Sequence, residues 1–529
     1  MRIVHISTHD LVGGAARAAF RLHQALLATG EESSMVVNWK ESDLNSVHQA
    51  SWPHNAQSVL GLLAQTHWLD RNRTPLSNTG FSLGWPGHDL SRHPVVRRAD
   101  ILHLHWVSAY QSPTTIASLL ALGKPLVWSL HDQRAFTGGC HYSAGCTNYE
   151  TGCAACPQLA LDPFALPAAN LADQMALAPG AAVTVIGLSR WMAECARRSA
   201  LFHDARIELI PNAVDTALFQ PKDKAQAKSE LGWPADALCL LFGADQGNER
   251  RKGFDELMAA LKLCAADADF ARRVRAKQIC CFYFGHPSPA LSTAPVPVQS
   301  LGHIGTESGM ARVYAAADLF LLPSLEDNLP NTILESMSCG TPVAAFRTGG
   351  VPDLVIEGSM GRLARTGEVQ EFSRIILALA ADPNQLSDMG RSCRRHAEDH
   401  FTLSRQAQKC RELYRKLLEK RTAAPSAARL PARINAGPHF QKAFPRILNE
   451  LLARNIEVLP MPQKPAAVAR YESRRVRFFA QSKKALAEAA SGLLSYPELM
   501  TRLVNELIRF QGKSPLRMKL KGALKGMFN

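Results

Sequence analysis

The sequence predicts an α/β protein with two Rossmann-like domains, followed by a basic and mainly helical C-terminal region. Short aliphatic runs alternate with longer helical patterns along the first 400 residues. Such strand and helix repetition is typical of parallel sheets covered on both faces. Nine predicted strands are too many for one compact sheet of ordinary size. The segment 209–215, LIPNAVD, offers a hinge between two sheets.

The predicted strands divide between the two domains. The first domain, residues 1–190, contains five of them, at 3–7, 34–38, 101–105, 126–130 and 183–188. Residues 191–212 are predicted to form the hinge. The second domain, 213–420, contains four, at 238–242, 279–285, 319–323 and 342–346. Helical residues 404–420 are expected either to close the second domain or to reach back to the first.

The last part of the chain differs in composition from the two domains. Residues 421–438 are rich in Ala, Pro and Arg, which predicts a linker. Residues 439–529 form a basic tail with predicted helices at 439–454, 470–494, 496–510 and 515–528. From Arg421 onward there are 20 basic and 6 acidic residues, so the net charge of +14 lies entirely in the last 109 residues. The neutral body therefore gives no reason to expect nucleic-acid binding.

Three interpretations of the tail remain open. It fits a module for an anionic membrane surface, because 515–528 places leucines on one side of a helix beside basic residues. It equally fits an interaction or oligomerisation domain. A nucleic-acid arm is the least favoured, because few aromatic residues are interleaved with the charges.

The N-terminus indicates a cytoplasmic protein. The opening MRIVHIS runs directly into a strand, without the pattern of a signal peptide. The apolar runs are far shorter than the roughly 18–20 residues that span a bilayer. We therefore expect a cytoplasmic location, with peripheral attachment to the inner face of the membrane if the tail binds lipid.

Two glycine-containing turns follow predicted strands. Gly13 and Gly14 open an Ala-rich helix, and such a turn lets backbone N–H groups approach a phosphate or a sugar. A tight turn without a ligand explains them equally well. In the second domain, Arg250, Arg251 and Lys252 lie between a strand and a helix, at the sheet edge where open α/β folds bind ligands. Their charges suit a diphosphate, and the alternative is a solvated basic turn.

The segment 323–353 contains the most informative motif. Asp327 lies on the loop before a helix, and Glu335 lies eight residues later, about a turn inside the helix. One carboxylate could bind the reacting sugar and the other the nucleoside hydroxyls. Gly349 and Gly350 end the next strand, where their backbone could touch the same ligand. A helix cap and a surface acid explain either carboxylate alone, but explain the combination poorly.

These motifs together resemble the retaining GT-B glycosyltransferases of family 4, and most closely those of bacterial surface polysaccharide synthesis. The resemblance rests on PSLEDNLPNTILESMSCGTPVAAF, the RRKGF turn, IPNAVD and the opening GGAARAA, and it covers about 1–420. It implies transfer of a sugar from a nucleotide diphosphate to an acceptor hydroxyl, with retention and usually without a metal. The acceptor implied is a glycan or a lipid-linked intermediate.

The resemblance also implies roles for individual residues. Lys252 and Arg251 would bind the diphosphate, Glu335 the ribose, and Asp327 the donor sugar. His131, in the strand end SLHD, resembles the family histidine that hydrogen-bonds near the donor sugar in the transition state. Asp327 and His131 are therefore the candidate catalytic residues.

Two positions depart from the family pattern. Asp327 stands where the family usually has Glu, which sets the carboxylate about one methylene further back. Gly247 stands where the family has an arginine, so Arg250 or Arg251 must compensate. His103 and His105 alternate along one strand and point the same way, but the residues favour core or rim histidines there.

Four cysteines form a possible structural zinc site. Cys140, Cys146, Cys153 and Cys156 lie within 17 residues and end in a CxxC pair. Four thiolates at such spacing can hold one tetrahedral Zn²⁺, with unliganded or disulfide-capable thiols as the alternative. The DxD triplet at 267–269 lies at the end of a helical stretch close to several arginines. Solvated helix charges explain it better than a metal.

Rival functions remain at this stage. A GT-B epimerase or phosphorylase is a rival within enzymes, although no cofactor lysine environment for a phosphorylase is evident. A catalytically silent nucleotide-sugar sensor or scaffold is a rival of another class, favoured by the change from Glu to Asp at 327.

Overall fold

The computed structural model contains two parallel β-sheets, each covered by helices. It describes residues 1–50, 69, 72–76, 79–84, 87–162, 165–245, 249–286, 289–419 and 439. Apart from residue 439, the predicted linker and the tail helices lie outside the described residues. The predicted α/β class with two Rossmann-like sheets is confirmed.

The first sheet has seven parallel strands in the order β3-β2-β1-β4-β5-β6-β7. Their bounds are β1 Arg2–His9, β2 Glu32–Trp39, β3 Val47–Gln49, β4 Ile101–Leu104, β5 Leu126–Leu130, β6 Thr184–Gly187 and β7 Arg206–Leu209. The strand order reverses between β1 and β4, which opens a crevice at their carboxyl ends. The helices of this unit are α1 Gly14–Ala28, α2 Pro94–Arg98, α3 Pro113–Leu120, α4 Leu166–Leu177 and α5 Arg190–Arg198.

The second sheet has six parallel strands in the order β10-β9-β8-β11-β12-β13. Their bounds are β8 Leu238–Ala244, β9 Ile279–Gly285, β10 Val298–Gly302, β11 Leu319–Leu322, β12 Val343–Phe346 and β13 Gly361–Ala364. The order reverses between β8 and β11, so the loops after these two strands share one crevice.

Nine helices follow from residue 224 onward in the described part of the chain. They are α6 Lys224–Glu230, α7 Phe254–Ala266, α8 Ala268–Arg275, α9 Glu307–Ala316, α10 Asn331–Ser338, α11 Val351–Leu354, α12 Val369–Ala381, α13 Pro383–His400 and α14 Leu403–Glu419. Short 3₁₀ turns at Gln133–Ala135, Asn148–Glu150, Gly180–Ala182, Arg250–Lys252 and Pro289–Thr293 complete the described elements. No helix among the described residues is long and apolar enough to cross a membrane.

The chain passes from the first sheet to the second after β7. Helix α5 and strand β7 occupy most of the segment 191–212 and belong to the first unit. The chain therefore crosses from the first unit to the second after Leu209, at the end of the predicted hinge.

Helix α14 returns to the first unit, which decides between the two placements considered for 404–420. The Tyr414 hydroxyl lies 2.7 Å from His103 Nδ1, on strand β4. Arg411 Nε donates to Glu31 Oε1 at 2.7 Å. Tyr414 is fully buried, so this contact forms part of the core.

Candidate active site

The basic turn and the Asp327 loop lie side by side at the crevice of the second sheet. The Leu325 N–H donates to the Arg251 carbonyl at 2.7 Å. Gly253 ends the turn with φ 68°, and a Cβ added there would lie 1.8 Å from the Pro323 carbonyl oxygen. Only glycine permits this approach, so the turn after β8 and the loop after β11 form one surface.

Asp327 is the centre of a charged cluster on this surface. Lys252 Nζ lies 2.7 Å from Asp327 Oδ2, and Arg251 Nη1 lies 3.4 Å from the same oxygen. Asp327 is only 6% exposed. Burial pushes its pKa upward, but Lys252 and Arg251 outweigh this effect and hold the pKa below its ordinary value. The structure thus brings together an ionised carboxylate and two cations, as the sequence predicts.

Arg251 is fixed from both sides. Its guanidinium carbon lies 4.2 Å from the ring centroid of Tyr142, which comes from the first unit. Its Nη2 pairs with Glu249 at 2.8 Å. Arg250 instead pairs with Glu256 at the start of α7. The position of Gly247 lies outside the described residues.

Gly349 and Gly350 pack against the Asp327 loop. A Cβ on Gly349, which has φ 49°, would lie 1.8 Å from the Asp327 carbonyl oxygen, and one on Gly350 would lie 1.8 Å from that of Asn328. The Gly350 N–H also donates to the Asp327 carbonyl at 3.1 Å. The glycine pair therefore shapes the loop that carries the carboxylate.

Glu335 faces the first unit across the crevice. Its Oε1 lies 2.7 Å from Nη2 of Arg21 on helix α1, and both side chains are buried. The same Arg21 nitrogen lies 2.6 Å from Glu307. Burial raises the pKa of Glu335, although Arg21 partly opposes the effect. Arg21 was not predicted as a site residue, because nothing in its local sequence indicates a partner in the other domain.

The glycine turn of the first unit lies beside the start of α10. Gly13 caps α1, and the Gly14 carbonyl accepts a hydrogen bond from Asn331 Nδ2 at 2.9 Å. The predicted turn therefore contacts, across the crevice, the first residue of the helix that carries Glu335.

His131 ends a chain of three imidazoles. Its Nε2 lies 3.1 Å from His105 Nδ1, and His105 Nε2 lies 2.9 Å from His5 Nδ1. Burial lowers the pKa of His131 to about 4, with Asp132 opposing the shift, so the imidazole is neutral near pH 7. His105 thus contacts the candidate catalytic histidine, whereas His103 bonds Tyr414 and Ser129 as a core histidine.

Among the residues that the structure describes, two further groups have ligand atoms within 4.8 Å of one another. One is the buried group of His5, His103 and His105, and the other is the exposed group of Asp245, His286 and His303. In the buried group, hydrogen bonds already occupy both nitrogens of His103 and of His105. His103 and His105 are therefore satisfied core histidines, whereas the buried Nε2 atom of His5 makes no hydrogen bond among the described residues.

The DxD triplet has a structural role. Asp267 caps helix α8 by accepting a hydrogen bond from the Phe270 N–H at 2.9 Å, and Asp269 pairs with Arg272.

Asn328 and Glu326 join the two sheet edges. Asn328 Nδ2 donates to the Leu130 and His131 carbonyls at 2.8 and 3.2 Å, and its Oδ1 accepts from Ser189 Oγ at 2.7 Å. Glu326 Oε2 accepts from the Ala144 N–H at 3.0 Å. These contacts hold His131 and Asp327 on facing walls of one crevice. Glu326 and Asn328 were not predicted as site residues. The sequence signal that could have indicated them is the triplet EDN at 326–328, which follows a buried strand.

Two family models match the chain, and together they cover more than half of it. Residues 12–218 match the model described as Glycosyltransferase Family 4. Residues 239–382 match the model described as Glycosyl transferases group 1. The matches correspond to the two sheets in turn.

Curated relatives cover part of the chain. D-inositol 3-phosphate glycosyltransferase 1 of Catenulispora acidiphila is 31% identical over 230 residues, which are 40% of this chain and 52% of the relative. D-inositol 3-phosphate glycosyltransferase of Segniliparus rotundus is 29% identical over 236 residues, 42% of this chain and 50% of the relative. The chain thus spans about half the length of these relatives.

Solved structures show the same fold at low sequence identity. The HepE protein of Anabaena in complex with UDP has a TM-score of 0.53 and 17% identity, over 79% of this chain and 100% of that one. WaaG, described as a glycosyltransferase involved in lipopolysaccharide biosynthesis, has a TM-score of 0.53 and 15% identity, over 78% and 99%. These structures show that the chain has the GT-B fold, and the two family models identify it as a member of the family 4 glycosyltransferases.

Proposed function

We propose that the protein is a retaining glycosyltransferase that moves a sugar from a nucleoside-diphosphate sugar to an acceptor hydroxyl. The observation that carries the proposal is the contact of Asp327 with Lys252 and Arg251, on the crevice wall that faces His131. This arrangement offers two cations to a diphosphate, and a carboxylate and an imidazole to a sugar. The UDP in the HepE structure supports a nucleotide donor.

The proposed mechanism is mainly electrostatic. Charge develops on the departing diphosphate in an oxocarbenium-like transition state, and Lys252 and Arg251 stabilise it. Lys252 Nζ contacts the Asp327 carboxylate in the structure, so we propose that a bound diphosphate and Asp327 both contact this cation. Asp327 then accepts hydrogen bonds from the sugar. Leaving oxygen and attacking hydroxyl share one face of the sugar, and the phosphate takes the acceptor proton.

Glu335 is proposed to bind the ribose hydroxyls. Arg21 holds its Oε1 atom, so the carboxylate is fixed in orientation before the nucleotide arrives. No metal is proposed for the transfer step, in line with the family resemblance.

The acceptor is proposed to be a glycan or a lipid-linked intermediate of cell-surface polysaccharide synthesis. The description of WaaG supports this choice. The curated relatives favour a second candidate, the phosphorylated cyclitol that their names contain. We place the enzyme in the cytoplasm, held at the inner face of the membrane by the basic tail.

The test is release of free nucleoside diphosphate by purified full-length protein. UDP-, GDP- and ADP-sugars are incubated with no acceptor, with lipid-linked glycan extracts, and with inositol 3-phosphate. Release that depends on one acceptor supports transfer, and anomeric NMR of the product checks retention. Donor binding in a thermal-shift assay without release in any arm would instead support the silent sensor. Lys262→Ala, on an exposed position of α7, is the matched control for Lys252→Ala.

A further inference from the structure

The four clustered cysteines gather at one cavity in the first unit, next to the crevice. Cys140, Cys146, Cys153 and Cys156 all line it, together with aromatic rings of Phe81 and Tyr149. All four are free thiols. No other cysteine lines this cavity, so its cysteines are the four that lie close together in the sequence.

Backbone donors point at the sulphur atoms. The Gly138 N–H lies 3.1 Å from Cys153 Sγ, and the Asn148 N–H lies 3.4 Å from Cys146 Sγ. N–H groups that donate to cysteine sulphur fix the orientation of the side chain, as outer partners do for the ligands of a metal site.

The loop that carries the cysteines is held in an unfavourable backbone conformation. Ala144, Cys153 and Ala155 have φ values of 51°, 60° and 51°, in the left-handed region that non-glycine residues rarely adopt. Between Thr137 and Gln158 the only regular element described is the short turn Asn148–Glu150. Such a conformation persists only where the surroundings impose it, and a cross-link between the cysteines would do so.

We propose that Cys140, Cys146, Cys153 and Cys156 bind one structural Zn²⁺. Four cysteine sulphurs are the ligand set of structural zinc sites, and iron is the other metal that such sets hold. In the described part of the chain, no three of these Sγ atoms lie within 4.8 Å of one another. Zinc with Zn–S bonds of about 2.3 Å brings its ligands to roughly 3.8 Å apart, so metal binding tightens the loop around the cavity.

The proposed zinc loop supports the donor-binding surface. Tyr142, under the Arg251 guanidinium, and Ala144, which donates to Glu326, both lie between Cys140 and Cys146. The zinc proposal does not depend on the proposed transfer reaction.

Metal content of the full-length protein is the test. Protein is purified without chelator from cells grown with zinc, and metals are measured by mass spectrometry. We expect about one zinc per chain, and X-ray absorption should show four sulphur neighbours at about 2.3 Å. Zinc below a tenth of an equivalent, or iron in its place, would overturn the proposal.

Variants separate a metal site from a general loss of folding. Cys146→Ser and Cys153→Ser should each reduce bound zinc at least tenfold, whereas Cys280→Ser, a half-buried cysteine in the other sheet, should keep it. If the two cluster variants do not fold, a thiol-blocking mercurial is added to the wild-type protein instead. Release of zinc as the thiols react would show that the cysteines hold the metal. Zinc retained after all four cluster thiols have reacted would contradict the assignment. UDP binding, measured separately, reports on the donor site and not on the metal.

Discussion

Arg21 and Glu335 form a buried ion pair between the two domains, with 2.7 Å between Nη2 and Oε1. The same guanidinium holds Glu307, so one cation balances two carboxylates. The helix after the first glycine turn is thereby docked on the helix that carries the proposed ribose ligand. Docking of the domains and the orientation of Glu335 therefore depend on one side chain.

Replacing Arg21 should destabilise the protein strongly. Arg21→Ala leaves Glu335 and Glu307 without their counter-charge, and removal of one partner from a buried pair costs about 3–5 kcal/mol of unfolding free energy. Urea denaturation measures the change. Arg190→Ala removes an exposed interdomain pair with Asp353 and should cost only about 0.2–1 kcal/mol. Equal unfolding free energies of the two variants would show that the buried pair stabilises the protein no more than the exposed pair does.

Lys252→Ala should abolish most transfer activity while the fold survives. Loss of the cation removes about 2–4 kcal/mol of transition-state stabilisation, on the order of a hundredfold or more in kcat/KM. Steady-state kinetics of diphosphate release measure it, with Lys262→Ala as the control. Wild-type kinetics in a folded Lys252→Ala protein would remove the diphosphate from this turn.

Gly349→Ala should disturb the Asp327 loop. The added methyl group meets the Asp327 carbonyl at 1.8 Å, so the loop must shift and donor affinity should fall at least tenfold. Gly358→Ala is the control, because its φ of 82° is equally left-handed but its surroundings are open. The control should lose about 1–2 kcal/mol of stability and keep donor affinity. Isothermal titration with the nucleotide sugar distinguishes the two, and equal affinities would contradict the proposed packing.

Acid should destabilise the protein through its buried histidines. Burial lowers the pKa of His23 to about 4 and that of His131 to about 4, from an ordinary value of 6.5. Between these values the unfolded chain binds protons that the folded chain does not, so stability falls as pH decreases from 6.5 to 4. Each such histidine contributes up to about 1.4 kcal/mol per pH unit.

Urea midpoints from pH 4.5 to 7.5 measure this slope. His23→Gln, whose side chain can keep a hydrogen bond to Ser33, should flatten it, whereas replacement of the exposed His203 by Gln should not. An unchanged slope in His23→Gln would refute the assignment.

The basic tail should carry the enzyme to anionic lipid. Each Lys or Arg near such a surface contributes roughly 1 kcal/mol, and residues 421–529 contain 20 of them. In liposome sedimentation, full-length protein should bind vesicles that contain anionic lipid and dissociate in high salt. A chain truncated after Lys420 should stay in the supernatant. Equal binding of both chains would make the tail a packing or oligomerisation element.

The central strands could be predicted from the sequence, and the edge strands could not. All nine predicted strands are present, and the four that were missed are the two edges of each sheet: β3, β7, β10 and β13. Central parallel strands are buried on both faces and form continuous apolar runs. Strand β7, by contrast, is partly exposed along its whole length, so its sequence carries no such run.

The same distinction applies to the site. Asp327, Arg251 and Lys252 follow directly from local motifs, because each lies on a loop after a buried strand. Arg21 and Tyr142 reach the site only because the two domains dock, and no local pattern reports a contact between residues more than a hundred positions apart. Interdomain partners therefore need the structure.

The return of helix α14 to the first domain affects the order in which the protein can be completed during synthesis. Strand β7 leaves the ribosome about 200 residues before Tyr414, which is roughly 10–40 s at 5–20 residues per second. Throughout this interval His103 lacks the hydroxyl that it binds in the finished protein, and the surface beneath α14 stays uncovered. The packing of the first domain is therefore completed only after the second domain has been made.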